Sequence, residues 1–244
     1  TRNRTKFLAS RTKLRKGSRV IKIDGLKALA ITDKERAEIF DFFKKFAKTQ
    51  KNPKFYKPLD AARRVAGTGS LGVARYVVLV EGRGSPNGNF LLDLKEELPS
   101  ALKPYLKHLQ PKWQSEAQRV VDVQQWVQAV SPAFLCATKF NGKSMVLKDL
   151  QPAADRLDLV SWNGKLKRLK TVISSMGQLL AWGALRNGGR MGAASIEELM
   201  AFGGREDWKE PLIDYAIQYA HQVQLDWQVF SKAYDQGQLQ AKEK

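Results

Sequence analysis

Residues 64–97 read Arg64-Val-Ala-Gly67-Thr-Gly-Ser-Leu-Gly72-Val-Ala-Arg75-Tyr-Val-Val-Leu-Val80-Glu-Gly-Arg-Gly-Ser-Pro-Asn-Gly-Asn-Phe90-Leu-Leu-Asp-Leu-Lys95-Glu-Glu97. The G-x-G-x-x-G spacing of Gly67, Gly69 and Gly72 is permissive on its own, so its flanks decide what it is. A dinucleotide loop needs a helix directly after the glycines, because the pyrophosphate sits on that helix's N-terminus. Here Val73, Tyr76, Val77, Val78 and Val80 are β-branched or aromatic, and Gly82 to Gly88 supply turn signals before the apolar run Phe90 to Leu94. The pattern predicts strand, glycine loop, strand, turn, strand. In such a loop the backbone of Gly67, Thr68, Gly69, Ser70 and Gly72 can approach phosphate oxygens, and a lysine on the next strand, Lys95, supplies a point charge. Alternation puts Leu91, Asp93 and Lys95 on one face, expected to line an open cleft, and Phe90, Leu92 and Leu94 on the packed face. The plainer reading of the same residues is a flexible hairpin with solvated charges at its end.

Outward from this stretch, Thr32 and Glu35 form a capping-box pattern ahead of a helix over 33–49, whose aromatic stripe reads as core. Residues 1–20 read as a helix or an ordered arm, followed by a short strand over Val20–Ile23 and a turn at Asp24-Gly25. A further helix begins at Ser115, and its Glu116, with Asp122 as the alternative, is placed to orient Lys95. Asn141-Gly142 is a hairpin dipeptide between two apolar runs, which extends the sheet to about five strands. The chain leaves the sheet at Asp149, Leu150 and Gln151, just before Pro152, where backbone groups could meet a base. Two long helices, over 164–186 and 211–235, carry apolar stripes that read as packing faces, with a capping box at Ser195 and Glu198 between them. His221 and Asp226 lie off the last stripe and read as surface residues.

The 244 residues carry a formal charge of +18, and residues 1–57 hold 18 Lys and Arg against 5 Asp and Glu. That excess points to an anionic partner for residues 1–57, such as nucleic acid, or else to a solvated basic face. No stretch is long and apolar enough to span a membrane. A single cysteine, Cys136, and two histidines, His108 and His221, leave no internal disulfide and no zinc spacing, which fits a cytoplasmic protein.

Several segments together carry a resemblance: Val65 to Gly72, Tyr76 to Gly82, Leu94-Lys-Glu96, Gln118-Arg-Val-Val121 and Gln124-Gln125. They resemble the bacterial domain-of-unknown-function family 2252, which looks like a rearranged relative of protein and aminoglycoside kinases. The resemblance implies an α+β fold, with a kinase-like small lobe built on a five-stranded antiparallel sheet beside a helical region. The expected divisions are a basic segment over 1–57, a sheet lobe over 58–152 and helices over 153–244. It also implies ATP and Mg²⁺ as ligands and phosphotransfer as the activity. In that family a Gly-Asp-Leu-His-x-x-Asn segment and an Asp-rich segment precede the glycine loop, and neither is present here. The chain is therefore expected to be a C-terminal portion, partnered by an upstream segment of the same protein, or a binding module with a vestigial loop. A nucleic-acid-binding protein working through its basic N-terminal region is the competing expectation, and a scaffold without catalysis the third.

Overall fold

A computed structural model describes residues 4–108, 110–152, 159 and 162–239, and the chain divides into two compact units, Thr1–Asn187 and Gly188–Lys244. The first unit begins with helix α1 (Arg4–Arg11) and the hairpin β1 (Thr12–Arg15) and β2 (Ser18–Ile21). Edge strand β3 (Ala28–Leu29), helix α2 (Asp33–Lys48) and the meander β4 (Pro58–Arg64), β5 (Arg75–Val80) and β6 (Phe90–Glu96) follow. Helix α3 (Glu116–Val127), the hairpin β7 (Cys136–Phe140) and β8 (Lys143–Asp149), and helix α4 (Leu166–Asn187) complete it. All pairings are antiparallel, in the order β3-β4-β5-β6-β8-β7, so the architecture is α+β. The sheet has six strands rather than five, because Ala28 and Leu29 add a short edge opposite Arg64 and Arg63.

The local reasons are those the residues supply. Thr32 and Glu35 close a reciprocal capping box that starts α2. Asn141 and Gly142 both take positive φ, as a two-residue hairpin turn demands. Lys16 and Gly17 do the same between β1 and β2, a hairpin where the sequence predicts a helix or an ordered arm running into a short strand over Val20–Ile23.

Both faces of the sheet are packed. On one, Ile39 and Phe43 of α2 meet Val78, Val80, Leu92, Leu94, Met145 and Leu147, with Phe55 alongside. On the other, Leu8 of α1 and Ile21 of β2 cover Ala62, Val77, Leu79, Leu91 and Leu150. Each such side chain, fully buried, contributes roughly 1.5–3 kcal/mol. The N-terminal segment is thus a structural layer across the sheet. Arg4 and Arg19 fasten it to the β5–β6 connection: Arg4 donates to the carbonyls of Gly88 and Asn89 and stacks on Phe90, and Arg19 donates to Pro86 O and Asn87 Oδ1. From the sheet, Asp60 accepts from Ile21 N at 2.7 Å and pairs with Arg36.

Helix α3 starts at Ser115, whose hydroxyl accepts from Gln118 N, and packs Ala117 and Val121 against Val146. Cys136 is a half-buried core residue whose thiol is pushed up to about 11 by burial. In the second unit, α5 (Ile196–Gly203) begins with the capping box of Ser195 and Glu198, and α6 (Lys209–Asp235) runs 27 residues. The apolar stripe of α6 does not pack as its period predicts: Tyr215, Tyr219, Trp227 and Phe230 are exposed and stack along the helix as i,i+4 and i,i+3 neighbours. No helix among the described residues is long and apolar enough to cross a membrane.

Candidate functional site

The glycine loop joins β4 to β5. Gly67 and Gly72 have φ of +75° and +85°, which side chains adopt at a cost, so backbone geometry accounts for them. Gly69 is different. It sits in the single turn Thr68–Ser70 outside the left-handed region, and a Cβ there would meet nothing within 4 Å. Nothing in the fold requires Gly69 to be glycine.

The loop is held from below by arginine, not lysine. Arg75 Nη1 donates to Ala66 O at 3.0 Å and to Ser70 Oγ at 3.5 Å, which ties both ends of the turn together. Its Nε and Nη2 bind the Asp93 carboxylate at 3.0 and 2.6 Å, and Arg64 Nη1 reaches the same carboxylate at 2.7 Å. Asp93 is 3% exposed and its two arginines 14% and 13%. Asp93 therefore does not stand in an open cleft. Alternation assigns its face correctly, but that face is covered, and burial of the carboxylate is compensated by two guanidinium partners.

Lys95 lies beyond this cluster and pairs with Glu97 at 3.1 Å, while Glu116 pairs within its own helix with Arg119 at 2.6 Å. The expected Lys95–Glu116 pair is not formed, and Asp122 accepts from Gln118 instead. Neighbouring Glu96 is desolvated, yet its pKa is lowered by hydrogen bonds from Lys143 and Ala74 N–H and by the Lys143 charge.

A cavity of about 310 Å³ opens beside the loop. Val65, Ala66 and Gly67 form one wall, and Leu150 and Gln151, at the exit from β8, contribute to another. Ile21, Val77, Leu91 and Leu150 make it apolar inside, while Arg11, Lys22 and Lys27 bring cations, with Arg64, already paired with Asp93, beside them. The acid among its described lining residues, Asp24, is spent locally: Oδ1 accepts from the N–H groups of Ala28, Leu26 and Lys27, which hold the carboxyl down to about 2. The structure places Gly67, Leu150 and Gln151 on one cavity. Gly69, Ser70, Gly72, Lys95, Glu116 and Asp149 are not among the described lining residues. Of the backbone groups of Asp149, Leu150 and Gln151 expected to meet a base, the N–H groups of Asp149 and Leu150 are donated to Ala133 O and Leu91 O.

The residues sequence reasoning missed are the cations Arg11, Lys22, Lys27, Arg64 and Arg75. Register would have found Arg75, since it sits opposite Lys95 and its neighbour Val77 opposite Asp93, but only once the strands were aligned. The apolar interior and cationic rim fit a planar base carrying phosphate. Among the described residues none fits Mg²⁺: Asp24 is consumed by its turn and Asp93 by two arginines, and no group of three or more metal-ligating side chains occurs among them.

No curated protein and no solved structure matches the chain. Residues 1–233 match the family model described as "Uncharacterized protein conserved in bacteria (DUF2252)", and the chain belongs to that family.

Proposed function

We propose that this chain is the nucleotide-binding part of a kinase-like phosphotransferase of unknown acceptor. The observation that carries it is the single cavity shared by Gly67 of the glycine loop and Leu150-Gln151 of the strand exit, apolar inside and cationic at its rim. ATP places its base among Ile21, Val77, Leu91 and Leu150 and its phosphates along the loop backbone. The order of a lysine-bearing strand, β6, and then helix α3 is the order kinase-type sites use, although here Glu116 of α3 pairs with Arg119 and Lys95 with Glu97. The base and the metal ligands of phosphotransfer would come from another polypeptide segment.

Gly69→Ala tests it. A Cβ at Gly69 disturbs nothing inside the protein. Alanine there leaves thermal stability unchanged or raises it by about 0.4–1 kcal/mol. It weakens ATP binding by about 1.4 kcal/mol, a tenfold loss, because it keeps phosphate off the backbone. Calorimetric titration of ATP, with and without Mg²⁺, reads the affinity. Wild-type protein that binds no ATP at millimolar concentration overturns the proposal; unaltered affinity in Gly69→Ala removes the loop from it.

A further inference from the structure

The β1–β2 hairpin is a two-sided ribbon, with burial confined to one side. Thr12, Arg19 and Ile21 are buried against the body, and Arg19 also donates to Thr12 Oγ1 at 3.2 Å. Residues two apart share a face. The outer face therefore carries Lys13 and Arg15 of β1, opposite Val20 and Ser18 of β2, with Lys16 at the exposed turn. The ladder continues one step inward, where Lys22 N–H donates to Arg11 O at 2.9 Å, so Arg11 and Lys22 stand at the inner end of the ribbon. Both of those residues line the cavity. Lys22 is fixed there, its Nζ donating to Ala9 O at 2.6 Å.

A row of cations thus leads from the cavity to the hairpin tip: Arg11 and Lys22, then Lys13, then Arg15 and Lys16. Same-face cations on one strand are spaced by about 6.8 Å. No Asp or Glu occurs between Arg4 and Ile23 in sequence, and the acid next along, Asp24, stands at the cavity end beside Arg11, away from Lys13, Arg15 and Lys16. Burial of Arg19 and Ile21 holds the ribbon in place, so the cations are presented without a large ordering cost.

We infer that this ribbon is a track for the backbone of a single-stranded nucleic acid whose terminal nucleotide occupies the cavity, a step that rests on the nucleotide reading of that cavity. Phosphates meet Lys13, Arg15 and Lys16 in turn, and the last base enters among Ile21, Val77, Leu91 and Leu150. A duplex cannot deliver a base into an apolar cavity without unpairing it. A lipid surface is disfavoured because the ribbon exposes one large apolar side chain, Leu14, where interfacial binding needs a continuous apolar face.

The experiment uses the full chain, a short fluorescently labelled single-stranded oligodeoxynucleotide, and the variant Lys13→Gln/Arg15→Gln/Lys16→Asn. Asn is chosen at position 16 because the backbone there has φ of 49°. Anisotropy titrations across a salt series are expected to show tight binding by wild type. In the variant the slope of log affinity against log salt falls by about 2, three contacts at about 0.7 each, and affinity drops at least about tenfold. The melting temperature and its rise with ATP are unchanged in the variant, and excess ATP displaces the oligonucleotide from wild type. If wild type binds ATP but not the oligonucleotide, the track is overturned and the nucleotide site stands. If it binds neither, both fall. An unchanged salt slope in the variant, or an oligonucleotide that ATP does not displace, overturns the link between ribbon and cavity. So does inorganic polyphosphate or an anionic vesicle that binds through these three residues when the oligonucleotide does not.

Discussion

Asp93→Ala is expected to lower the stability of the first unit by roughly 3–5 kcal/mol, the cost of leaving partnered charges without their counter-ion in a nearly dry site. Arg64 and Arg75 converge on that one carboxylate from β4 and β5, so a single truncation takes the same counter-ion from two guanidinium groups. Urea unfolding should show a lower midpoint with an unchanged slope, since the area exposed on unfolding is hardly altered. The triple variant Arg64→Met/Asp93→Leu/Arg75→Met should regain most of the loss, because apolar groups of similar volume fill such a site at little cost. It should nevertheless leave the glycine loop untied, as the Arg75 contact to Ala66 O is gone. A neutral Asp93→Ala would show that the arginines find other partners and that the cluster is not a structural tie.

Gly82→Ala is the second large effect. Gly82 has φ of +65°, and a Cβ there would lie 2.3 Å from Gly88 O and 2.7 Å from Phe90 Cδ2. The left-handed backbone costs about 1–2 kcal/mol with a side chain. Overpacking against a carbonyl and a core ring adds about 1–3 kcal/mol. For a chain of this length each kcal/mol corresponds to roughly 2–4 °C of melting temperature. The contrast with Gly69→Ala is the informative part: one glycine is required by the fold and the other is not. A Gly82→Ala protein that melts like wild type would mean the β5–β6 connection repacks, and the grip of Arg4 and Arg19 upon it would have to be reconsidered.

How much of this the sequence discloses depends on how local each cause is. Helix α2 is legible because its capping box lies within four residues, Thr32 to Glu35, and the β7–β8 turn because Asn141-Gly142 accepts positive φ readily. The β1–β2 turn is hidden because Lys16 occupies a position where lysine is uncommon, and because β1 buries just Thr12 of its four residues. Strand β3 is two residues long and carries no period at all. The glycine loop and the exit at Leu150-Gln151 are readable from turn chemistry and Pro152. The Asp93 cluster is not, since its arginines lie 18 and 29 residues away and meet it only through strand register. Nor does period two reveal that both faces of a sheet are covered. That depends on where α1 and β2 fold back. The pairing of Lys95 with Glu97 rather than Glu116 has the same origin, a nearby partner two residues away outcompeting one on a separate helix.

The N-terminal layer that walls the cavity also makes the site a matter of chain topology. Ser10, Arg11, Ile21 and Lys22 face a space whose far side is made by Leu150 and Gln151. Anything bound between them opposes local opening of the first 25 residues by RT ln(1 + [L]/Kd), about 2.7 kcal/mol at a hundredfold excess over Kd. Trypsin, which needs several residues of unfolded chain around Arg11 or Lys22, therefore becomes a reporter of occupancy. ATP is expected to slow cleavage there while leaving sites in α6 untouched, and equal rates with and without ATP would place the ligand elsewhere. On this view the basic strap is a clasp, closed by its own arginines and locked by whatever it encloses.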